Sequence, residues 1–155
     1  MMRSSIVIVL LFIFSRLLCL AQTNGNIIIA KDIESCLYGL KNKQREWLVR
    51  PRFGFAEEIN DYIIVRNESH NRYGVYDLQG KEMVPLKYPY LRPVQAPTNQ
   101  PLFIFITEKD KMGLINDKGD TVLTPLYNWI EYRHKFIHVK KEELYGLANR
   151  SGKLL

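Results

Sequence analysis

The chain has 155 residues, is 46% hydrophobic and carries a net charge of +6, which is enough for one ordinary core and too little for two domains of typical size. Its basic excess is gathered in no run longer than Lys140-Lys141, so composition argues against a nucleic-acid partner. Two cysteines, Cys19 and Cys36, exclude a disulfide framework once the first is removed with the segment that holds it.

That segment is residues 1–21. A basic Arg3, an apolar run from Ile6 to Phe14 and small residues around Ala21 predict a secretory signal peptide, with Gln22 first in the mature chain. Ser15 and Arg16 cut the run well short of the roughly 20 apolar residues that a membrane span needs, which leaves a retained anchor as the second reading. Cleavage removes two of the 22 basic residues and no acid, leaving +4 over 22–155, which is expected to form one domain. Cys36, then unpaired, is expected to be a small buried apolar group.

From Ile27 onward one phrase recurs. An apolar stretch (27–30 IIIA, 62–65 YIIV, 103–106 FIFI, 135–139 KFIHV) leads through a charged turn to an anchoring glycine, at Gly39, Gly74, Gly113 and Gly146. Tyr38, Tyr73, Met112 or Tyr145 stands before it, and Leu40, Val75, Leu114 or Leu147 after it. Three residues past the glycine come Asn42, Asp77, Asn116 or Asn149, and three further Gly80, Gly119 or Gly152, with Arg45 as the exception in the first copy. Asx at the first turn position and Gly at the fourth predict a type I turn closed by a left-handed residue, which joins two antiparallel strands through a bulge. Arg45 should then carry a positive φ at a cost of about 1 kcal/mol.

The strand after the turn holds Leu48-Val49, Met83-Val84, Val122-Leu123 or Leu154-Leu155 and is expected to end at Pro51, Pro85 or Pro125, since proline cannot donate to a ladder. An aromatic follows each proline, Phe53, Tyr88 or Tyr127, and then Ala56, Leu91 or Ile130. These are expected to pack over the hairpin as a lid, with the anchoring glycine as the slot for the preceding copy's lid aromatic and the tyrosine before it as partner surface. No long segment has helical period. The chain therefore predicts an all-β array of antiparallel hairpins in about three and a half units, as an open twisted stack or a small partly closed barrel, with edge strands open to capping, closure by Ile27–Ala30 or oligomerisation.

The pattern aromatic-Gly-Leu-x-Asn/Asp-x-x-Gly-x-x-Val-x-Pro-x-Tyr closely resembles the WG repeat, with Tyr or Met where that family usually has Trp. The resemblance runs from about residue 27 to the last residue. It implies repeated β-hairpins that act as a binding or scaffolding surface, and it implies no catalytic residue, metal or cofactor.

Residue chemistry adds little that is sharper. His134 and His138, near Glu131, are four apart; on a strand that spans about 13 Å, too far to share one metal. Glu57-Glu58 point to opposite faces and Glu142-Glu143 fall in a turn, so neither pair suits acid–base work. Trp47, Tyr90, Trp129 and Tyr132, with Tyr62 and Tyr76, are the candidates for a partner-binding aromatic strip, set against core packing as the plainer alternative. The insertion 91–101, with three prolines, reads as a stiff binding loop or a spacer. Asp120-Thr121-Val122 resembles a short O-glycosylation motif. The expected function is an exported, non-enzymatic module that binds a protein partner, with a glycan- or cell-wall-binding module as the alternative and a hydrolase third.

Overall fold

The structure is a computed structural model that describes residues 27–94 and 101–155; the proposed leader 1–21 and the middle of the 91–101 insertion lie outside the described residues. Thirteen strands and no helix make up the described chain. In order they are β1 (Ile27–Lys31), β2 (Tyr38–Asn42), β3 (Trp47–Ile59), β4 (Tyr62–Asn67), β5 (Tyr73–Asp77), β6 (Glu82–Tyr88), β7 (Tyr90–Pro93), β8 (Leu102–Ile106), β9 (Met112–Asn116), β10 (Thr121–Tyr127), β11 (Trp129–Arg133), β12 (Phe136–Lys141) and β13 (Leu144–Ala148).

Hydrogen bonding joins them, all antiparallel, into sheets β1 to β6, β7 to β10 and β11 to β13, and none of these closes into a barrel. The open hairpin stack is therefore the form adopted. The six-stranded sheet folds over on itself at β3. Ile27, Ile29 and Leu40 from its first strands share one buried cluster with Ile63, Val65 and Tyr76 from β4 and β5. The result is four layers: β1, β2 and the start of β3; the end of β3 with β4 to β6; β7 to β10; and β11 to β13.

Three apolar clusters fill the gaps between successive layers, and alternate residues of one strand feed different gaps. In β4, Ile63 and Val65 face the first gap while Ile64 faces the second. In β8, Phe103 and Phe105 face the second gap while Leu102 and Ile104 face the third. An inner strand covered on both faces needs apolar residues at consecutive positions, which is why YIIV and FIFI are unbroken runs.

The Asx-Gly corners are built alike in all four copies. The N–H of Arg45, Gly80, Gly119 or Gly152 donates to the carbonyl of Asn42, Asp77, Asn116 or Asn149 at 3.0, 3.1, 3.1 and 3.0 Å. The same Asx Oδ1 accepts from the N–H four residues on, at 2.8, 2.8, 2.8 and 3.0 Å. The fourth residue has φ of +66° at Arg45 and +80°, +81° and +83° at the glycines. The positive φ expected at Arg45 is present.

Three expectations are corrected. Pro51, Pro85 and Pro125 do not end their strands, which continue to Ile59, Tyr88 and Tyr127. They lie instead where the register slips: Val84 pairs with Val75 and Tyr88 with Tyr73, so four residues of β6 advance against two of β5, and the other two copies repeat the shift. A residue bulged out of the ladder needs no N–H there, which makes the site suitable for proline.

The anchoring glycine, second, is not a slot for the preceding copy's lid aromatic. It lies under its own unit's proline bulge: a Cβ on Gly74 would stand 2.8 Å from the Val84 carbonyl oxygen, and one on Gly39 would stand 2.6 Å from that of Val49. Third, the start of the insertion is strand, since Leu91 to Pro93 belong to β7 and pair with Phe105 to Phe103. The lid aromatics Phe53, Tyr88 and Tyr127 are buried, as are Leu91 and Ile130.

Candidate docking surfaces

Successive units are locked at the corners. Each turn glycine abuts the residue nine past the previous anchoring glycine: Gly80 meets Leu48, Gly119 faces the Met83 carbonyl and Gly152 sits on the Val122 carbonyl. Arg45 has no earlier unit beside it among the described residues. The side chain that crowding denies to Gly80 and Gly152 is therefore tolerated there. This stacking sets all four corners along one edge, with grooves between corners one and two, floored by Leu48 and Leu78, and between corners three and four, beside Asp117, Lys118 and Arg150.

The layer order divides the aromatic candidates. Trp47 pairs with Lys41 on the outer face of the first layer, where the Lys41 ammonium stands 4.1 Å from the ring centroid and the ring covers Gly39. Trp129 stands on the opposite end of the stack, on the outer face of the last layer. Tyr90 lies between them, ring against Tyr73 at 5.7 Å. Tyr132 packs against the third core cluster. The four do not form one strip.

Among the described residues, the outer face of the last layer is an exposed apolar area whose members the register brings together. Trp129 pairs with Lys140 and Lys140 with Tyr145; Glu131 pairs with His138 and His138 with Leu147; Arg133 pairs with Phe136. Trp129, Phe136, Tyr145 and Leu147 are 37%, 41%, 75% and 40% exposed. Lys140 lies over the Tyr145 ring and Arg133 pairs with Glu131. In the repeat register Phe136 stands where Ile27, Tyr62 and Leu102 stand, and His138 stands where Ile29, Ile64 and Ile104 are buried. The sequence reading singled out Trp129, gave Tyr145 a surface role only as one of the tyrosines before an anchoring glycine, and left Phe136 and Leu147 as repeat positions. Aligning the copies on their glycines and asking which gap each position faces would have found them.

The tyrosine before the anchoring glycine is half-buried at Tyr38 and Tyr73 and packs against core clusters; of these tyrosines only Tyr145 is a surface. Anchoring Gly146 differs likewise, since the nearest atom to a Cβ there is a Val139 methyl at 3.3 Å. Beyond it the chain makes the bridge Ala148–Leu154, and the Leu155 N–H donates to Leu147.

Arg52 donates to the Tyr76 hydroxyl at 3.0 Å and that hydroxyl donates to Glu82 at 2.9 Å, tying the first unit to the second. Burial, then the Glu82 hydrogen bond, pushes the Tyr76 phenol up to about 12. Burial, then Asp117 and the other nearby carboxylates, raises Tyr62. Hydrogen bonds from Ser35 hold exposed Asp32 below its ordinary value.

Cys36 is exposed with φ +58°, in the turn after β1, and is not the buried apolar group expected: the β1–β2 connection needs a left-handed residue there. His134 occupies the tight β11–β12 turn with φ +48°, and no group of three metal-ligating side chains occurs among the described residues. Glu57 and Glu58 lie on β3, and Glu142 and Glu143 in the turn before β13. No described helix is long and apolar enough to cross a membrane.

Against known families, the model described as WG containing repeat matches residues 38–69, 73–95 and 112–145. No curated protein matches the chain.

Proposed function

The matched stretches cover more than half of its residues, so the chain belongs to the WG repeat family, and from that premise we propose that it is an exported, non-catalytic module that binds another protein. The observation that carries this reading is the outer face of β11 to β13. Contiguous exposed apolar side chains rimmed by polar ones mark surfaces on which partners dock. Here a tryptophan, a phenylalanine, a tyrosine and a leucine remain accessible between charged neighbours, the aromatic centre and polar rim of a protein-binding patch. Trp47 and Trp129 stand at opposite ends of the stack, which supports a protein over a glycan, since a sugar chain would want its stacking rings in one groove.

The test is capture from the producing cells' envelope with the wild-type chain and a Trp129→Ala, Tyr145→Ala double variant. A protein retained by the first and lost by the second is the expected result; identical recoveries, or none, overturn the proposal. Export rests on the leader at 1–21. N-terminal sequencing of the protein recovered from its cells should begin at Gln22, and a chain found in the cytoplasm with Met1 intact would refute it.

A further inference from the structure

We infer that the partner for the last layer's outer face includes a second copy of this chain, which docks there with the outer face of its first layer. This rests on the reading that the face binds protein and names the partner. Within one chain the same contact is made three times: the forward face of each layer, carrying the residue just after the anchoring glycine, packs on the backward face of the next. The forward face of the last layer presents the equivalents of those buried positions, with Leu147 matching Leu40, Val75 and Leu114. Among the described residues, the backward face of the first layer presents Ile28 and Ala30, half-buried, matching Ile63 and Val65 of β4 and Phe103 and Phe105 of β8, all buried. The occupant is thus argued from continuity with an interface that the fold already uses.

What distinguishes the end contact from an internal one is its wetness. His138 stands where three isoleucines are buried, and Glu131 and Lys140 flank it, so the face is built to be reached from water and left again. Trp47, lying over Gly39, gives the backward face an aromatic of its own to set against Trp129 and Tyr145. A forward-to-backward contact uses two different surfaces, so it is heterologous: it propagates into a chain of copies unless its rotation closes a ring.

That asymmetry supplies the test. Tyr145→Glu spoils only the forward face and Trp47→Glu only the backward face; Lys41→Glu is a second backward variant should loss of Trp47 disturb the fold, which circular dichroism checks. Sedimentation velocity on the full chain as its cells process it, over a series up to about 1 mM, is expected to show association that each single variant weakens at least about tenfold. An equimolar mixture of a forward and a backward variant should form a one-to-one dimer, because each supplies the face the other lacks.

Wild-type chain that stays monomeric throughout overturns the inference, as does a mixture of folded variants that fails to pair. Association abolished by Tyr145→Glu and indifferent to both backward variants also overturns it, in favour of a symmetric contact between two forward faces. A monomer that still captures an envelope protein through Trp129 and Tyr145 refutes self-docking and leaves the proposed function standing. Loss of both removes both.

Discussion

At Gly113 a single methyl group meets the Phe105 ring and, at 2.9 Å, the Leu123 carbonyl oxygen; at Gly146 it meets one flexible valine methyl at 3.3 Å. Gly113→Ala and Gly74→Ala should therefore cost roughly 1–3 kcal/mol by forcing the proline bulge off its strand, whereas Gly146→Ala should change stability by less than about 0.5 kcal/mol. Urea unfolding of the three variants checks this, and equal effects would remove the bulge as the reason for the glycine. The turn glycines grade by a second criterion. Gly119→Ala meets nothing closer than 3.9 Å and should cost only the left-handed strain of about 1 kcal/mol, while Gly152→Ala drives its methyl into the Val122 carbonyl and should cost at least about 2 kcal/mol. Arg45→Gly should gain roughly 0.5 kcal/mol, the strain relieved less the extra backbone entropy that glycine loses. The same unfolding series reads all of these.

At the scale of elements, the Arg52–Tyr76–Glu82 chain of hydrogen bonds couples β3 to β5 and β6. Tyr76→Phe should cost about 1 kcal/mol, since both charged partners keep access to water. Its pH dependence has a definite sign. The folded phenol is raised to about 12 from an unfolded value of 10.0, so the stability it contributes is fully present below pH 10 and is lost as pH rises through 12. Base titration of unfolding should show a fall above pH 10 that Tyr76→Phe diminishes; identical curves would show that the network is not coupled to folding. Elements were the scale at which the sequence was most legible. Turn chemistry at Asn42, Asp77, Asn116 and Asn149 is local, so four residues sufficed to place each corner and its positive φ, even at Arg45. What escaped was non-local. Pro51, Pro85 and Pro125 looked like strand ends because a proline's missing N–H is certain from sequence, while the bulge that excuses it depends on how the neighbouring strand slides. Cys36 was misjudged for the same reason, its exposure being set by the β1–β2 connection and not by its own polarity.

At the scale of the molecule, the layered arrangement makes protection a function of position in the stack. Among the described residues, β4, β5, β8 and β9 are covered on both faces, and β1 and β13 on one. Amide exchange should accordingly be slowest at Ile64, Val75, Ile104 and Leu114 and fastest, among strand residues, in β13, with exchange spreading inward from the ends as in other stacked repeats. A single uniform exchange rate across all four layers would contradict this.

The candidate docking face was half legible by the same logic. Trp129 stood out by type, but Phe136, Tyr145 and Leu147 have partly buried or buried equivalents in every other copy, and only their place on the fourth described layer leaves them outside. His138 marks that boundary and can be tested by exchange with its equivalents. Ile104→His places an imidazole in a closed apolar gap and should cost roughly 2–4 kcal/mol, whereas His138→Ile, on a face open to water, should alter stability by less than about 1 kcal/mol. If the face docks another protein in a wet contact, His138→Ile should also make the chain associate more readily and less reversibly, because it restores the residue that internal layers use to stay together. Denaturation midpoints together with the concentration dependence of sedimentation measure the two effects separately. A large stability cost at position 138 would mean that the last layer is covered as the others are, and that its outer face is no docking surface.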